Sequence, residues 1–406
     1  MPGFDTIYYD IVGVCNAKCS YCHTGVFKTT TGSVVQAQRF RDTLDVIAKH
    51  RLLNPEGVIG LYNWGEPFLH PRLPELLDIV NGYGFGYGFS TNASRVPAIN
   101  RDFVKGLKYL VYSMPGFSQS SYDKMHGFRV EEILTNIRTM TLRARDAGFR
   151  GKIAIYYHVY QFSAGEVFQC ADFAAECGIE FVPMNAILNN WWQINDYVDN
   201  RLDPALLRKV GEELFMHDVR ALLDKTPEDY SCPQYNWLAI DENSNLLLCC
   251  QVPTGATFSV GNLLTGDVAE MLAKRKSNDT CSQCVGKGLA HYLNNSLGHP
   301  EFYTEARKRM DGARLPSGGE KSRTAKVFRR ARSLAHHAWS AAVESYGGRA
   351  ERAETTVAVA TAADGELQQS SRARQLLGEP GVGIRLHQSL PAFPPALPRS
   401  TDEIQR

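Results

Sequence analysis

The chain has 406 residues, of which 44% are hydrophobic, and a formal net charge of +1 at pH 7. That length suggests two or three domains. A balance so close to zero gives no argument for a nucleic-acid partner, and no apolar run reaches the length of a transmembrane segment. Ten cysteines in a chain without a secretion signal argue for the reducing cytoplasm, and for metal rather than disulfides.

Residues 7–14 are β-branched and aromatic and read as a strand interrupted by Asp10. Directly after it come Cys15, Cys19 and Cys22 in a C-x3-C-x2-C spacing, with Tyr21 before the last. Thiolates are soft ligands for iron–sulfur clusters, and a cubane has four points of attachment. Three cysteines therefore leave one iron open. The alternatives are a zinc knuckle, for which only His23 is a nearby fourth ligand, or reduced core cysteines.

Helical spacing follows over 36–50, then a strand over 58–64 and a helix over 73–83. A strand over 86–92, a helix over 99–107 and a strand over 109–114 come next. The helix over 130–147 stops at Gly148, and the strand over 152–160 leads into a helix over 164–177 that stops at Gly178. A last strand covers 179–184. Such strict alternation requires a parallel sheet, closed or partly closed, with chemistry at the carboxyl ends of its strands. Polar motifs gather at those ends. The cysteines follow the first strand, Asn63-Trp64-Gly65-Glu66-Pro67 the second and Ser90-Thr91-Asn92 the third. Ser113 follows the fourth and Asn185 the sixth. His158 and Tyr160 share one face of the fifth strand and reach a substrate if that face lines the interior. Cys170 and Cys177, on one helical stripe, read as core residues.

An amphipathic helix over 203–224 reads as a bridge to a second set of cysteines. Cys232, Cys249-Cys250 and Cys281-Ser282-Gln283-Cys284 surround a hairpin pattern (238–241 and 243–248) and a Gly261-Asn262-Leu263 step that opens a helix to Lys276. Four soft ligands close a site completely, as a cluster or as a structural zinc ribbon. Neighbours on a strand face opposite ways, so only one of Cys249 and Cys250 is expected to be a ligand. From Arg314 the chain carries 14 Lys and Arg against 9 Asp and Glu, with few large apolar residues. This extension is expected to be mostly disordered; a basic helix for acidic or membrane partners, over 321–345, is the alternative.

The cysteine loop and its aromatic resemble the signature of the radical S-adenosylmethionine (SAM) enzymes, and the resemblance covers about residues 5–190. It implies a partial (β/α)6 barrel and a 4Fe-4S cluster on Cys15, Cys19 and Cys22. The open iron of that cluster holds SAM, whose reductive cleavage yields a 5'-deoxyadenosyl radical. In the family a Gly-Gly-Glu-Pro segment meets the SAM amino group. Here Gly65 and Glu66 match it and Trp64 replaces the first glycine. Thr91, Asn92 and Ser113 resemble residues that line the ribose and methionine of SAM. The segment 112–127 has the look of the family's fourth loop, which makes Tyr122 and His126 candidates to face substrate, beside His158 and Tyr160. The second cysteine set resembles the SPASM or twitch modules. It implies one auxiliary 4Fe-4S cluster on Cys232, Cys249, Cys281 and Cys284, with Ser244 standing where a glycine is usual.

The expected organisation is therefore an α/β partial (β/α)6 barrel at 1–190, a helical bridge at 191–229, a SPASM/twitch-like iron–sulfur domain at 230–313 and a basic extension at 314–406. The resemblance implies an oxidation of a small-molecule, sugar or glycan-type substrate, with flavodoxin or ferredoxin as reductant. The first strand lies close to residue 1, which favours that class over a peptide held by a preceding leader-binding domain. Maturation of a ribosomally made peptide is the rival, and a zinc-binding scaffold is the non-enzymatic alternative.

Overall fold

A computed structural model describes residues 3–26, 31–215, 223–224 and 226–295. Six strands run parallel: β1 (Phe4–Tyr9), β2 (Leu53–Gly60), β3 (Gly86–Thr91), β4 (Leu107–Met114), β5 (Lys152–Val159) and β6 (Glu180–Asn185). Helices connect them: α1 (His23–Val26), α2 (Ala37–Lys49), α3 (Leu73–Tyr83), α4 (Arg101–Val104), α5 (Gln119–Lys124), α6 (Val130–Asp146) and α7 (Val167–Glu176). The α/β alternation read from the sequence is thus the fold.

The sheet has two unlike faces. Ile7, Tyr9, Ile59, Phe89, Leu110, Tyr112, Ile155 and Tyr157 join the large core beneath the helices. Residues of opposite parity, among them Val58, Tyr62, Tyr109, Val111, Ala154, Tyr156, Val182 and Met184, form a separate inner cluster. Tyr156 on β5 lies near enough to Tyr8 on β1 to raise its pKa. A flat sheet would hold strands four positions apart at about 19 Å, so this one curls around its inner face.

Several boundaries differ from the periodicity. β1 ends at Tyr9, not residue 14, because the chain peels away to form a bridge between Val12 and Val34. α4 keeps one turn of the expected 99–107 helix. The Asn100 side chain caps it from Phe103 N at 2.9 Å, and Gly106 then packs against Tyr87. Among the described residues of the bridge are the short helices α8 (Trp191–Val198) and α9 (Pro204–Glu213). Leu214 is extended and ends α9 well before residue 224.

The second module is not detached from the sheet. β7 (Trp237–Ile240) pairs in parallel with the free edge of β1, Thr6 facing Trp237 and Tyr9 facing Ile240. β8 (Asn245–Leu247) and β9 (Ser259–Asn262) follow antiparallel, so the strand order is β6-β5-β4-β3-β2-β1-β7-β8-β9. Ser244, at φ 68°, makes the hairpin turn, and its hydroxyl lies 2.8 Å from that of Thr43 on α2. Gly261-Asn262 ends β9 and does not open a helix. The next helix, α10 (Val268–Lys276), starts after an Asp267 cap, with α11 (Asp279–Gly286) and α12 (Leu289–Asn295) behind it. The basic extension at 314–406 lies outside the described residues.

Candidate functional site

The cysteine loop lies at the carboxyl end of the parallel strands. Cys15, Cys19 and Cys22 are partly buried. Burial pushes Cys15 up to about 12, and the neighbouring Glu66 and Cys22 push the same way. Cys19 is raised by burial, then by Cys22 and Cys15. Three thiols that repel one another's charge in a poorly hydrated loop are stable as thiolates only with a cation among them. Asn92, just past β3, reaches across the loop. Its Nδ2 donates to Cys15 Sγ at 3.7 Å and to Asn16 Oδ1 at 3.0 Å. Gly25 has no room for a side chain, since a Cβ would fall 2.7 Å from Cys19 N.

Glu66 anchors the loop after β2. It is 3% exposed, and its carboxylate accepts from Thr91 Oγ1 at 2.6 Å, Asn92 N at 2.8 Å and Phe68 N at 3.2 Å. A carboxylate has about four acceptor sites, so one remains for an incoming ammonium. Burial raises Glu66 to about 7, against the pull of those three donors. Gly65 is required by close approach, because a Cβ there would run into the Val12 carbonyl.

Asp10 has a role that the sequence did not reveal. It accepts from Trp64 N at 2.9 Å and from Gly65 N at 3.1 Å, so it fixes the backbone of the segment carrying Glu66. The Trp64 indole turns toward the second module. Its Nε1 donates to Val252 O at 2.9 Å, and the His23 ring packs edge-on with centroids 4.5 Å apart. A lone acidic residue in an apolar strand was the signal for Asp10.

The substrate-side candidates divide. The inner cluster places the even-numbered residues of β5 on the inner face, the parity of His158, whereas Tyr160 lies just past β5 in a separate cluster with Tyr21 and Met125. His126 lies near enough to His158 for their charges to interact, and Tyr160 near enough to feel Cys19 and Cys22. Burial lowers His126 to about 3 and His158 to about 4, so both are neutral at pH 7. Tyr122 instead belongs to the outer core and senses Cys170 and Glu166. Ser113 is half-buried on the inner parity of β4, opposite Tyr156.

The second cysteine set converges from three elements. Cys284 senses Cys249, Cys232 and Cys281, and Cys232 senses Cys249 and Cys281. Cys281 and Cys284 are three apart on α11 and so share a face. Cys250 senses Cys249 and Cys232 but neither Cys281 nor Cys284, and its Sγ donates to Gln234 Oε1 at 3.1 Å. Among the described residues no three His, Cys, Asp or Glu side chains converge on a single-ion position. Both thiol sets nonetheless have the donor chemistry of a cluster, whose thiolates each bind a different iron.

No protein-family model matches the chain, and no curated protein matches it. Among solved structures it is similar to Streptococcus suis SuiB at 15% identity and a TM-score of 0.43, over 68% of this chain and 66% of that one. The chain therefore spans slightly less than two thirds of SuiB. It is similar to anSMEcpe with bound AdoMet at 12% identity and a TM-score of 0.47, over 82% of this chain and 99% of that one. A third is BtrN in complex with AdoMet and 2-DOIA, at 14% identity and a TM-score of 0.36, over 73% and 92%. At such values activity and cofactors rest on the site's own residues.

Proposed function

We propose that the chain is a radical SAM enzyme, with a 4Fe-4S cluster on Cys15, Cys19 and Cys22 and an auxiliary 4Fe-4S cluster on Cys232, Cys249, Cys281 and Cys284. The observation that carries this reading is the junction of the cysteine loop with Glu66 through Asn92, which bonds both Cys15 Sγ and the Glu66 carboxylate. When bound, the first cluster supplies one electron for reductive cleavage of SAM. Glu66, at the centre of its three donors, is the acceptor for the SAM ammonium. Asp10 holds Gly65 in place, and Asn92 and Thr91 keep the Glu66 carboxylate fixed. Ser113 lines the methionine and ribose side.

The substrate reading is a neutral, hydroxylated small molecule, sugar or glycan. It is supported by His126 and His158, both held neutral by desolvation, and by Tyr160 near the cysteine loop. These groups suit hydroxyls better than they neutralise an acid or a base. A cluster held by Cys232, Cys249, Cys281 and Cys284 would supply an acceptor for the electron of the substrate radical, whose hydroxyl proton passes to solvent, and the net reaction would be an oxidation. Flavodoxin or ferredoxin would provide the first electron. The test is anaerobic reconstitution followed by assay of 5'-deoxyadenosine with sugars, glycans and peptides as separate panels. Stimulation by sugars or glycans supports the reading; stimulation only by peptides replaces the substrate class. Absence of SAM cleavage in iron-replete protein overturns the enzyme assignment.

A further inference from the structure

We propose that Arg275 is the counter-charge of the auxiliary site and sets the reduction potential of the cluster there, an inference that rests on a cluster at Cys232, Cys249, Cys281 and Cys284. Arg275 continues the buried stripe of α10, formed by Val268, Met271 and Leu272, and is itself only 3% exposed. Its Nε donates to Leu248 O at 2.6 Å, and a terminal nitrogen donates to Gln234 O. The guanidinium also faces the Tyr235 ring, 5.9 Å from its centroid. Leu248 precedes Cys249, and Gln234 follows Cys232 by two residues. The cation thus ties together the two arms that carry these thiols.

Among the described residues no carboxylate makes an ion pair with Arg275. A buried charge without an opposite charge is strongly unfavourable, and two neutral carbonyls do not cancel it. The groups that favour its charged form are Cys249, Cys281, Cys232 and Cys250, in that order. As neutral thiols they offer nothing. Three of these, Cys232, Cys249 and Cys281, would with Cys284 be the four thiolates of an oxidised 4Fe-4S core and leave a net negative site, which one more electron makes more negative. A fixed positive charge stabilises that reduced state, and potentials of such clusters follow local charge and hydrogen bonding. A purely structural fork between two carbonyls would need the donors and not the charge.

The test is potentiometry followed by electron paramagnetic resonance on the full chain carrying Cys15→Ala, Cys19→Ala and Cys22→Ala, so that only the auxiliary site reports. Arg275→Met should lower the ratio of reduced to oxidised cluster at fixed potential about ten-fold or more, which is about 59 mV for one electron. Arg275→Lys, which keeps the charge, should keep its iron and stay near the parent potential. Full iron with an unchanged potential in Arg275→Met overturns the role of Arg275 alone. If Arg275→Met loses its iron, Arg275→Lys decides: retained iron at the parent potential supports the proposal, and equal iron loss overturns it. A parent that holds no iron at this site overturns the cluster assignment as well.

Discussion

Glu66 and Asp10 divide one task, and each makes a separable prediction. In Glu66→Gln an amide NH2 replaces one of two oxygens that accept from Thr91, Asn92 and Phe68. One buried donor then faces another, at about 1–3 kcal/mol, and the charge-assisted contact proposed for the SAM ammonium would be lost. We predict a lower melting temperature and SAM affinity weakened roughly ten-fold or more, measured by thermal unfolding and equilibrium binding. Unchanged affinity would show that the ammonium sits elsewhere. Asp10 makes a pH prediction. Burial, reinforced by Glu242, raises it to about 7, whereas its ordinary value is 3.8. The folded state therefore favours the proton. That stability is fully present below the ordinary value and is lost as pH rises toward about 7. Asp10→Asn keeps an acceptor for the Trp64 and Gly65 N–H groups without this loss. Its stability relative to wild type should thus increase from pH 4 to pH 7, with a limiting slope of about 1.4 kcal/mol per pH unit. Urea unfolding across that range checks it, and parallel curves would contradict the assignment.

At the scale of elements, the strands and their order were legible because period-2 segments alternate with amphipathic helices, and glycines mark helix ends at Gly148 and Gly178. The C-x3-C-x2-C loop was legible from spacing alone. The pairing of β7 with β1 was not, since nothing local records which edge a strand will meet 231 residues later. Arg275 was hidden for a related reason: a basic residue near a helix C-terminus reads as a solvated end, and only tertiary packing buries it. Ser244 replaced an expected glycine legibly enough to be noticed, but its compensation by Thr43 on α2 required the fold. The hairpin register also bears on Cys249 and Cys250. Cys284 senses Cys249 but is not among the neighbours of Cys250, which is tied to Gln234. We predict that Cys249→Ala loses about four iron atoms, one cubane, and with them substrate turnover. Cys250→Ala should keep its iron and lose at most about 1 kcal/mol, the usual value of one hydrogen bond. Iron analysis of the two single variants decides, and loss confined to Cys250→Ala would exchange their roles.

Across the whole molecule, a single nine-stranded sheet carries both thiol sets, one following β1 and the other arranged around β7 to β9. Adjacent strands β1 and β7 form the seam, reinforced by the Trp64 bond to Val252 and by the edge contact of Tyr8 with Trp237. The two sites are therefore mechanically joined, while their ligands are separate. Replacing Cys15, Cys19 and Cys22 together by Ala removes side chains that lie in a loop outside the strands, so the sheet and the second site should persist. We predict that the triple variant retains about four iron atoms and sulfides, one cubane, shows an unchanged far-ultraviolet spectrum and forms no 5'-deoxyadenosine. Alanine at Cys232, Cys281 and Cys284 should do the reverse at the first stage, leaving SAM cleavage but stopping turnover. Because Arg275 then loses the cluster and keeps only Cys249 and Cys250 of the thiols around it, this second variant should also be the less stable of the two. Iron, sulfide and deoxyadenosine measured side by side with melting temperatures test the scheme. SAM cleavage in the first variant would remove the cluster from the Cys15 loop, and equal stability of the two would mean that the buried cation has found another anion.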